Sequence, residues 1–229
     1  MSKPFDGVRV LDFSRVIAGP YASEMLALLG ADVVKVEHPL RGDDGRDQSM
    51  KPRYAARKYG TVFLSLNAGK RSLGLDLKHE AAREVLERLI AGADVVLENF
   101  RPGVMARLGL DYDAVKALNP RVVYCSISGF GQTGPASASP AYDGRVQATS
   151  GMMALTGYPE SGPVRVGFAV CDAATGMSAA FAIASALYRR SQTGEGDHID
   201  VAMLDTALSF MAANVQEVLA HGEVQPLLG

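Results

Sequence analysis

Cysteine is scarce in this chain: Cys125 and Cys171 are the only two among 229 residues. Both lie in apolar, strand-like contexts, so the pair argues against a disulfide-stapled scaffold and for a reducing, cytoplasmic setting. Charge of either sign is not in excess. With 23 Lys and Arg against 25 Asp and Glu, the net charge is -2. Neither a nucleic-acid surface nor an acidic interaction tail is expected. No uninterrupted apolar run reaches the roughly 18 residues of a membrane span, so no membrane partner is expected. The N-terminal Met1 to Gly7 lacks the apolar core of a secretion signal. Internal repeats and low-complexity linkers are also missing. What is present is ordinary for a soluble globular protein, 48% hydrophobic and 21% charged, and long enough for one large domain or two small ones.

Strands and helices alternate along the chain. Val8 to Phe13 reads as a strand. Gly19 and Pro20 open a helix that Gly30 can end, and Asp32 to Glu37 reads as the next strand. Such a β-α-β unit implies parallel pairing. Residues Pro39 to Tyr59 lack apolar periodicity and read as a long exposed loop. Further strands are expected at Ser72 to Leu77, Asp94 to Phe100, Arg121 to Ser128 and His198 to Val201. Helices are expected near His79 to Ala91, Val104 to Leu108, Tyr112 to Ala117, Asp143 to Leu155 and Leu204 to Ala220. The fold class that follows is α/β, an open and mostly parallel Rossmann-like sheet with helices on both faces.

One carboxylate stands out. Asp172 follows the apolar run Val164 to Cys171, which reads as a buried strand or extended segment. It precedes an Ala-, Leu- and Met-rich stretch, Ala173 to Arg190, that reads as a helix. A carboxylate placed between an apolar interior and a helix N-terminus stays ionised while partly dry, which suits a nucleophile. An Asp at a helix start is equally a plain N-cap.

Gly129-Phe130-Gly131-Gln132-Thr133-Gly134 matches a dinucleotide fingerprint and follows a strand. Pro135 and Pro140 come next, so no helix can begin within the glycines and meet a pyrophosphate. The acidic residue expected about 20 residues later is missing. NAD or FAD binding is therefore excluded, and the glycines are expected to let backbone approach a ligand.

Six blocks in a fixed order carry a more specific signal: DFSRVIAGP from Asp12, GADVVKVE from Gly30, NAGKRSLGLDLK from Asn67, ADVVLENFRPGVMARLG from Ala93, SGFGQTGP from Ser128, and GEGDHIDVAMLD from Gly194. Together they resemble the family III CoA-transferases, over essentially the whole chain. The resemblance implies that Asp172 is the catalytic nucleophile of a CoA-transferase that passes through aspartyl-anhydride and aspartyl-CoA intermediates. Its substrates would be an acyl-CoA and a small carboxylic acid, with no permanently bound cofactor and no metal.

The CoA site implied by the same resemblance comprises Ile17 and Ala18, then Leu75, Asp76, Leu77 and Lys78. Asn99, Phe100, Arg101 and Arg107 complete it. His38 falls where relatives often place an arginine for the nucleotide end. Lys70 and Arg71 are further phosphate candidates. The superfamily includes α-methylacyl-CoA racemase, in which a His-Asp pair precedes the catalytic Asp by about 30 residues. The matching pair here is Tyr142-Asp143. A phenol, with a reference pKa of about 10, is a poor base, which favours transfer over racemisation. Asp143 is expected as a second carboxylate near the site or as a helix N-cap.

The family resemblance also implies a longer protein. Relatives carry a second, smaller domain and form interlocked homodimers. Residues 1–220 then correspond to the N-terminal part of the large domain, and residues 221–229 to the start of a linker.

Overall fold

A computed structural model describes residues 2–227 and 229. In chain order its elements begin with β1 (Arg9–Asp12), α1 (Ala18–Leu28), β2 (Asp32–Glu37), α2 (Pro52–Ala55), α3 (Thr61–Ser65) and β3 (Arg71–Gly74). Then come α4 (Ala82–Ala91), β4 (Val95–Glu98), α5 (Val104–Arg107), α6 (Tyr112–Leu118), β5 (Val123–Ser128), α7 (Asp143–Thr149) and α8 (Met152–Leu155). The remainder is β6 (Gly157–Tyr158), β7 (Gly162–Pro163), α9 (Val170–Thr193), β8 (Asp197–Ala202), α10 (Met203–Phe210) and α11 (Ala212–His221).

Six strands form one sheet in the order β3-β2-β1-β4-β5-β8, and every pairing is parallel. The strands are short and rich in Val, Leu and Ile, as befits a sheet covered on both faces. One face packs Val10, Val33, Val95 and Cys125 under α1 and α9. The other packs Leu11, Val36, Val96 and Tyr124 under α4, α5 and α6. Strand order reverses between β1 and β4. Open α/β sheets bind ligands at such a reversal, beyond the carboxyl ends of the strands.

The fold class expected from the sequence is the one observed, and several local expectations are corrected. Residues 164–169 form no strand and are largely exposed. They are not sandwiched by other elements, so apolar composition alone did not make them a core strand. Helix α9 begins at Val170, three residues earlier than expected, and places Asp172 inside its first turn. The expected loop at 39–59 contains a 3-10 turn, Asp44–Asp47, as well as α2, and it buries Asp43. The expected helix at 143–155 breaks at Gly151, whose φ is 85°, and the C-terminal helix breaks at Met211. Of the expected linker at 221–229, Leu228 lies outside the described residues, as does Met1 at the head of the expected domain.

Among the described residues, α9 alone is long and apolar enough to cross a membrane by length and composition. Isolated polar residues hide this from a search for unbroken apolar runs. In the fold it is a core helix, with Ala179, Ile183 and Ala186 buried against the sheet and α1. Gly176 packs directly against α1: a Cβ there would stand 2.7 Å from the Ala18 carbonyl oxygen and 2.8 Å from Tyr21 Cβ. Only glycine permits that approach, and the approach brings the N-terminus of α1 to the first turn of α9.

Candidate functional site

Helix α9 starts without a side-chain cap of its own, because Ala169 holds the N-cap position. Its first-turn N–H groups are instead satisfied from α7. Asp143 Oδ2 accepts the backbone N–H of Cys171 at 2.8 Å and that of Asp172 at 3.4 Å. Asp143 is 8% exposed. Its other oxygen accepts from Gln147 Nε2 at 2.5 Å. Fully buried Gln147 also accepts the Val166 N–H through Oε1 at 2.8 Å and donates to the Phe168 carbonyl at 3.4 Å. One helical turn of α7 thus holds both the start of α9 and the irregular segment before it.

Two sequence expectations are corrected here. Asp172 is not the cap of its helix. Asp143 does not cap α7 either; it is the first residue of α7 and caps α9, from 28 positions before Cys171 and 29 before Asp172. Sequence spacing could not reveal a cap supplied across the fold. Tyr142, the N-cap residue of α7, is 71% exposed.

Asp172 is freed from capping, and its carboxylate faces the N-terminus of α1, where the nearby Ala18 backbone N–H favours its ionised form. Burial raises its pKa, the Asp143 carboxylate raises it further, and the Ala18 N–H offsets part of the rise, leaving a value of about 7. Desolvation and a like charge act against ionisation, while one backbone dipole supports it. The adjacent Cys171 thiol is pushed up to about 12 by burial, with Asp143 and Asp172 adding to the effect, so it stays protonated and is not a competing nucleophile.

A cavity of about 780 Å³ opens on the other side of the same strand ends. Of the residues expected to bind CoA, His38, Leu75, Asp76, Leu77, Lys78, Phe100 and Arg107 line it. Its volume falls in the range of cofactor-sized sites. Arg107, Lys78, Arg41 and Arg15 put cationic groups around it, and Leu86, Leu108 and Leu110 supply an apolar wall. The Arg15 guanidinium lies 5.2 Å from the centre of the Phe100 ring. His38 Nδ1 accepts the backbone N–H groups of Leu40 and Arg41, each at 3.2 Å, which leaves Nε2–H as the donor of the ring.

Ile17, Ala18, Asn99 and Arg101 do not line that cavity. Asn99 has a different task. It accepts from the Arg15 N–H and donates to the Arg15 carbonyl, both at 2.8 Å, so it clamps the β1–α1 turn to the end of β4. Arg101 is exposed. The turn from Ser14 to Ala18 therefore runs from the cavity, at Arg15, to the Asp172 carboxylate, at Ala18.

Other expectations fall away. Lys70 is buried, donating to the Pro20 carbonyl at 2.9 Å and to Asn67 at 2.8 Å and pairing with Asp12 at 3.3 Å. It is not available to a phosphate. Arg71 makes a two-point pair with Asp32, at 2.6 and 2.9 Å, away from the cavity. In the loop Gly129 to Gly134, a Cβ on Gly129 would stand 2.0 Å from Ala141 Cβ, so glycine is required there for packing between chain segments.

Sequence reasoning passed over Arg15, Arg41, Lys35, Asp43 and Gln147. A signal existed for two of them. Gln147 lies four residues after Asp143 on one helix, a spacing that brings side chains together. Lys35 interrupts the apolar strand Asp32–Glu37, and a lysine buried inside a central strand must have a partner.

The comparisons with known proteins agree with this architecture. The sequence profile described as CoA-transferase family III matches residues 5–229. The chain belongs to family III of the CoA-transferases. It is 45% identical to the acetyl-CoA:oxalate CoA-transferase of Acetobacter aceti and 42% identical to the succinate–glutarate CoA-transferase of Agrobacterium fabrum. In both cases the match covers 99% of this chain and 57% of the relative, so the chain spans little more than half the length of those family members. Among solved structures, a CAIB/BAIF family protein from Brucella suis superposes with a TM-score of 0.92 at 41% identity, covering 100% of this chain and 61% of that one. The family III chain also superposes on the Rv3272 protein of Mycobacterium tuberculosis with a TM-score of 0.87 at 39% identity, covering 96% and 59%.

Proposed function

We propose that the protein transfers coenzyme A from an acyl-CoA to a free carboxylic acid, with Asp172 as the covalent nucleophile. The observation that carries this reading is the placement of Asp172. It is half-buried, free of capping duty and faces the Ala18 N–H, at the far end of the turn whose Arg15 lines the cavity.

The proposed chemistry uses those groups in sequence. The ionised Asp172 carboxylate attacks the thioester carbonyl of the acyl-CoA. Cleavage of the C–S bond expels the CoA thiolate and leaves an acyl-aspartyl anhydride. The thiolate then attacks the aspartyl carbonyl, which releases the donor acid as its carboxylate and forms an aspartyl-CoA thioester. The acceptor carboxylate attacks that thioester, re-forming an anhydride and the thiolate. Attack of the thiolate on the acceptor's acyl carbon yields the new acyl-CoA and restores Asp172. Each step exchanges one acyl bond for another, so no oxidant and no net proton is required. Splitting the exchange this way lowers its barrier, and the Ala18 N–H is placed to donate to an oxyanion on the aspartyl carbon.

The activities for which these relatives are named support small dicarboxylic acids, such as oxalate, succinate or glutarate, as the acid class. A homodimer in a cytoplasmic setting belongs to the same proposal. Support for assembly comes from the exposed apolar side chains Met177, Phe181 and Tyr188 along α9. Racemisation would need a second base facing the substrate. Asp143 is engaged by two backbone N–H groups and Gln147, and Tyr142 is a phenol.

The test is isotope exchange between a labelled dicarboxylate and a panel of acyl-CoAs. Transfer that disappears in Asp172→Asn while CoA binding persists supports the reading. Solvent deuterium entering the α-carbon without an acceptor acid would replace it with racemase chemistry.

A further inference from the structure

The turn that joins the cavity to Asp172 is held almost wholly by side chains from elsewhere in the fold. The Ser14 N–H donates to Asp12 Oδ1 at 2.8 Å, and the Ser14 carbonyl accepts from Lys35 Nζ at 2.6 Å. Both backbone groups of Arg15 are taken by Asn99. The Val16 N–H donates to Asp43 Oδ1 at 3.1 Å. Val16 itself has a φ of 65°, a left-handed conformation that a β-branched residue resists. Such a conformation persists only where its surroundings dictate it.

Lys35 and Asp43 tie these contacts together. Their charged groups approach to 2.8 Å, and each side chain is 1% exposed. Lys35 sits opposite Asp12 in the β1–β2 register. Asp43 also accepts the Gly45 N–H at 2.7 Å, and its own N–H donates to Glu37 at 3.0 Å, which Arg46 grips at 2.6 and 2.8 Å. The pair therefore fastens the 3-10 turn after β2 to the β1–α1 turn, one partner on each side of Arg15.

We propose that the buried Lys35–Asp43 pair is a positioning device for the proposed transfer reaction: it holds Val16 left-handed and so aims the Ala18 N–H at the Asp172 carboxylate. The inference rests on the reading of Asp172 as the nucleophile. A buried ion pair is a poor stabiliser in itself and is well suited to fixing one geometry. Neither residue touches the reacting groups; both act through the backbone of residues 14–18.

The test is the titration of the Asp172 carboxylate by 13C NMR, with the signal assigned by its loss in Asp172→Asn. It is run in the wild type and in the paired variant Lys35→Met/Asp43→Asn, which removes both charges at once. Loss of the Ala18 N–H leaves desolvation and the Asp143 repulsion unopposed, so the midpoint should rise by about one pH unit. Exchange of the Ala18 amide should accelerate, and the transfer rate should fall at least tenfold. An unchanged midpoint with an unchanged Ala18 amide overturns the proposal. Should the paired variant not fold, Asp43→Asn alone keeps Lys35 beside Asp12 and is read by the same two signals. Both signals are independent of turnover. A wild type without transfer activity but with the expected shift would refute the transferase reading alone.

Discussion

Asp143 and Asp172, 29 residues apart in sequence, divide the work at the start of one helix: the first caps α9, so the carboxylate of the second is left free. Replacing Asp143 with Asn should remove the like charge while leaving an oxygen to accept the Cys171 N–H. The pKa of Asp172 should fall from its value of about 7, because Asp143 is one of the two causes that raise it. The pH profile of transfer, which rises as Asp172 ionises, should move its acid limb downward. A limb that stays in place would show that desolvation alone sets the Asp172 pKa.

The same raised pKa makes stability and activity respond to pH in opposite senses. Protonated Asp172 is favoured in the folded state, so between the ordinary value of 3.8 and about 7 the folded chain holds more protons than the unfolded chain. Stability should therefore fall as pH rises through that window. Buried Glu98 is also raised to about 7, chiefly by desolvation, and adds to the slope. Asp172→Asn should flatten the slope in part while abolishing transfer, as measured by denaturant titration from pH 4 to 8. Asp12 works in the other direction. Despite the cost of burial, the charges of Lys35 and Lys70 and two serine hydroxyls hold its pKa down to about 2, so its contribution disappears only as the pH falls from 3.8 toward 2.

Gly176→Ala tests the contact between α1 and α9. Its Cβ would meet the Ala18 carbonyl and Tyr21 at distances no packed core allows, and relief requires the helices to part. Overpacking of this kind costs about 1–3 kcal/mol. Parting the helices also withdraws the Ala18 N–H from Asp172. The expected result is a lower melting temperature with the turnover rate reduced more than the KM for acyl-CoA. A fully active, fully stable variant would mean that the approach is not needed.

Gln147→Leu leaves the Val166 N–H and one oxygen of Asp143 without their buried partner. An orphaned buried polar group costs about 1–3 kcal/mol. Hydrogen exchange should accelerate at residues 164–172 before any other part of the chain. Uniform exchange across the fold would contradict the role assigned to Gln147.

Arg107→Ala addresses the cavity. Arg107 lines it and stands at the end of α5, away from the α9 face of the sheet. Loss of one guanidinium facing a phosphate should weaken CoA binding about tenfold, an effect typical of a charged hydrogen bond. The Asp172 titration should not move. A shift there would mean that the two ends of the site are coupled beyond the β1–α1 turn.

Much of this arrangement is legible in the residues. The alternation of Val-rich runs with helical stretches specifies the parallel sheet, because strands buried on both faces must be apolar throughout. Asp32–Glu37 reads as a strand to the residue. The carboxylate at 172 is visible because it stands alone at the edge of an apolar stretch. What stays hidden depends on tertiary contact. Asp143 serves a helix other than its own, and Lys70 serves Asp12 rather than a ligand. The segment at 164–169 is apolar yet stays outside the core. A turn whose backbone is bonded by Lys35, Asp43 and Asn99 leaves little local sequence signal, since these three partners come from other stretches of the chain.

The most direct measurement is peptide mass spectrometry of the protein incubated with a panel of short-chain and dicarboxylic acyl-CoAs, with and without hydroxylamine. The account predicts a CoA or acyl adduct on the peptide carrying Asp172, converted by hydroxylamine to the hydroxamate and missing in Asp172→Asn. Folded protein that binds CoA and turns over an acyl-CoA, but carries no adduct at that residue, would contradict it.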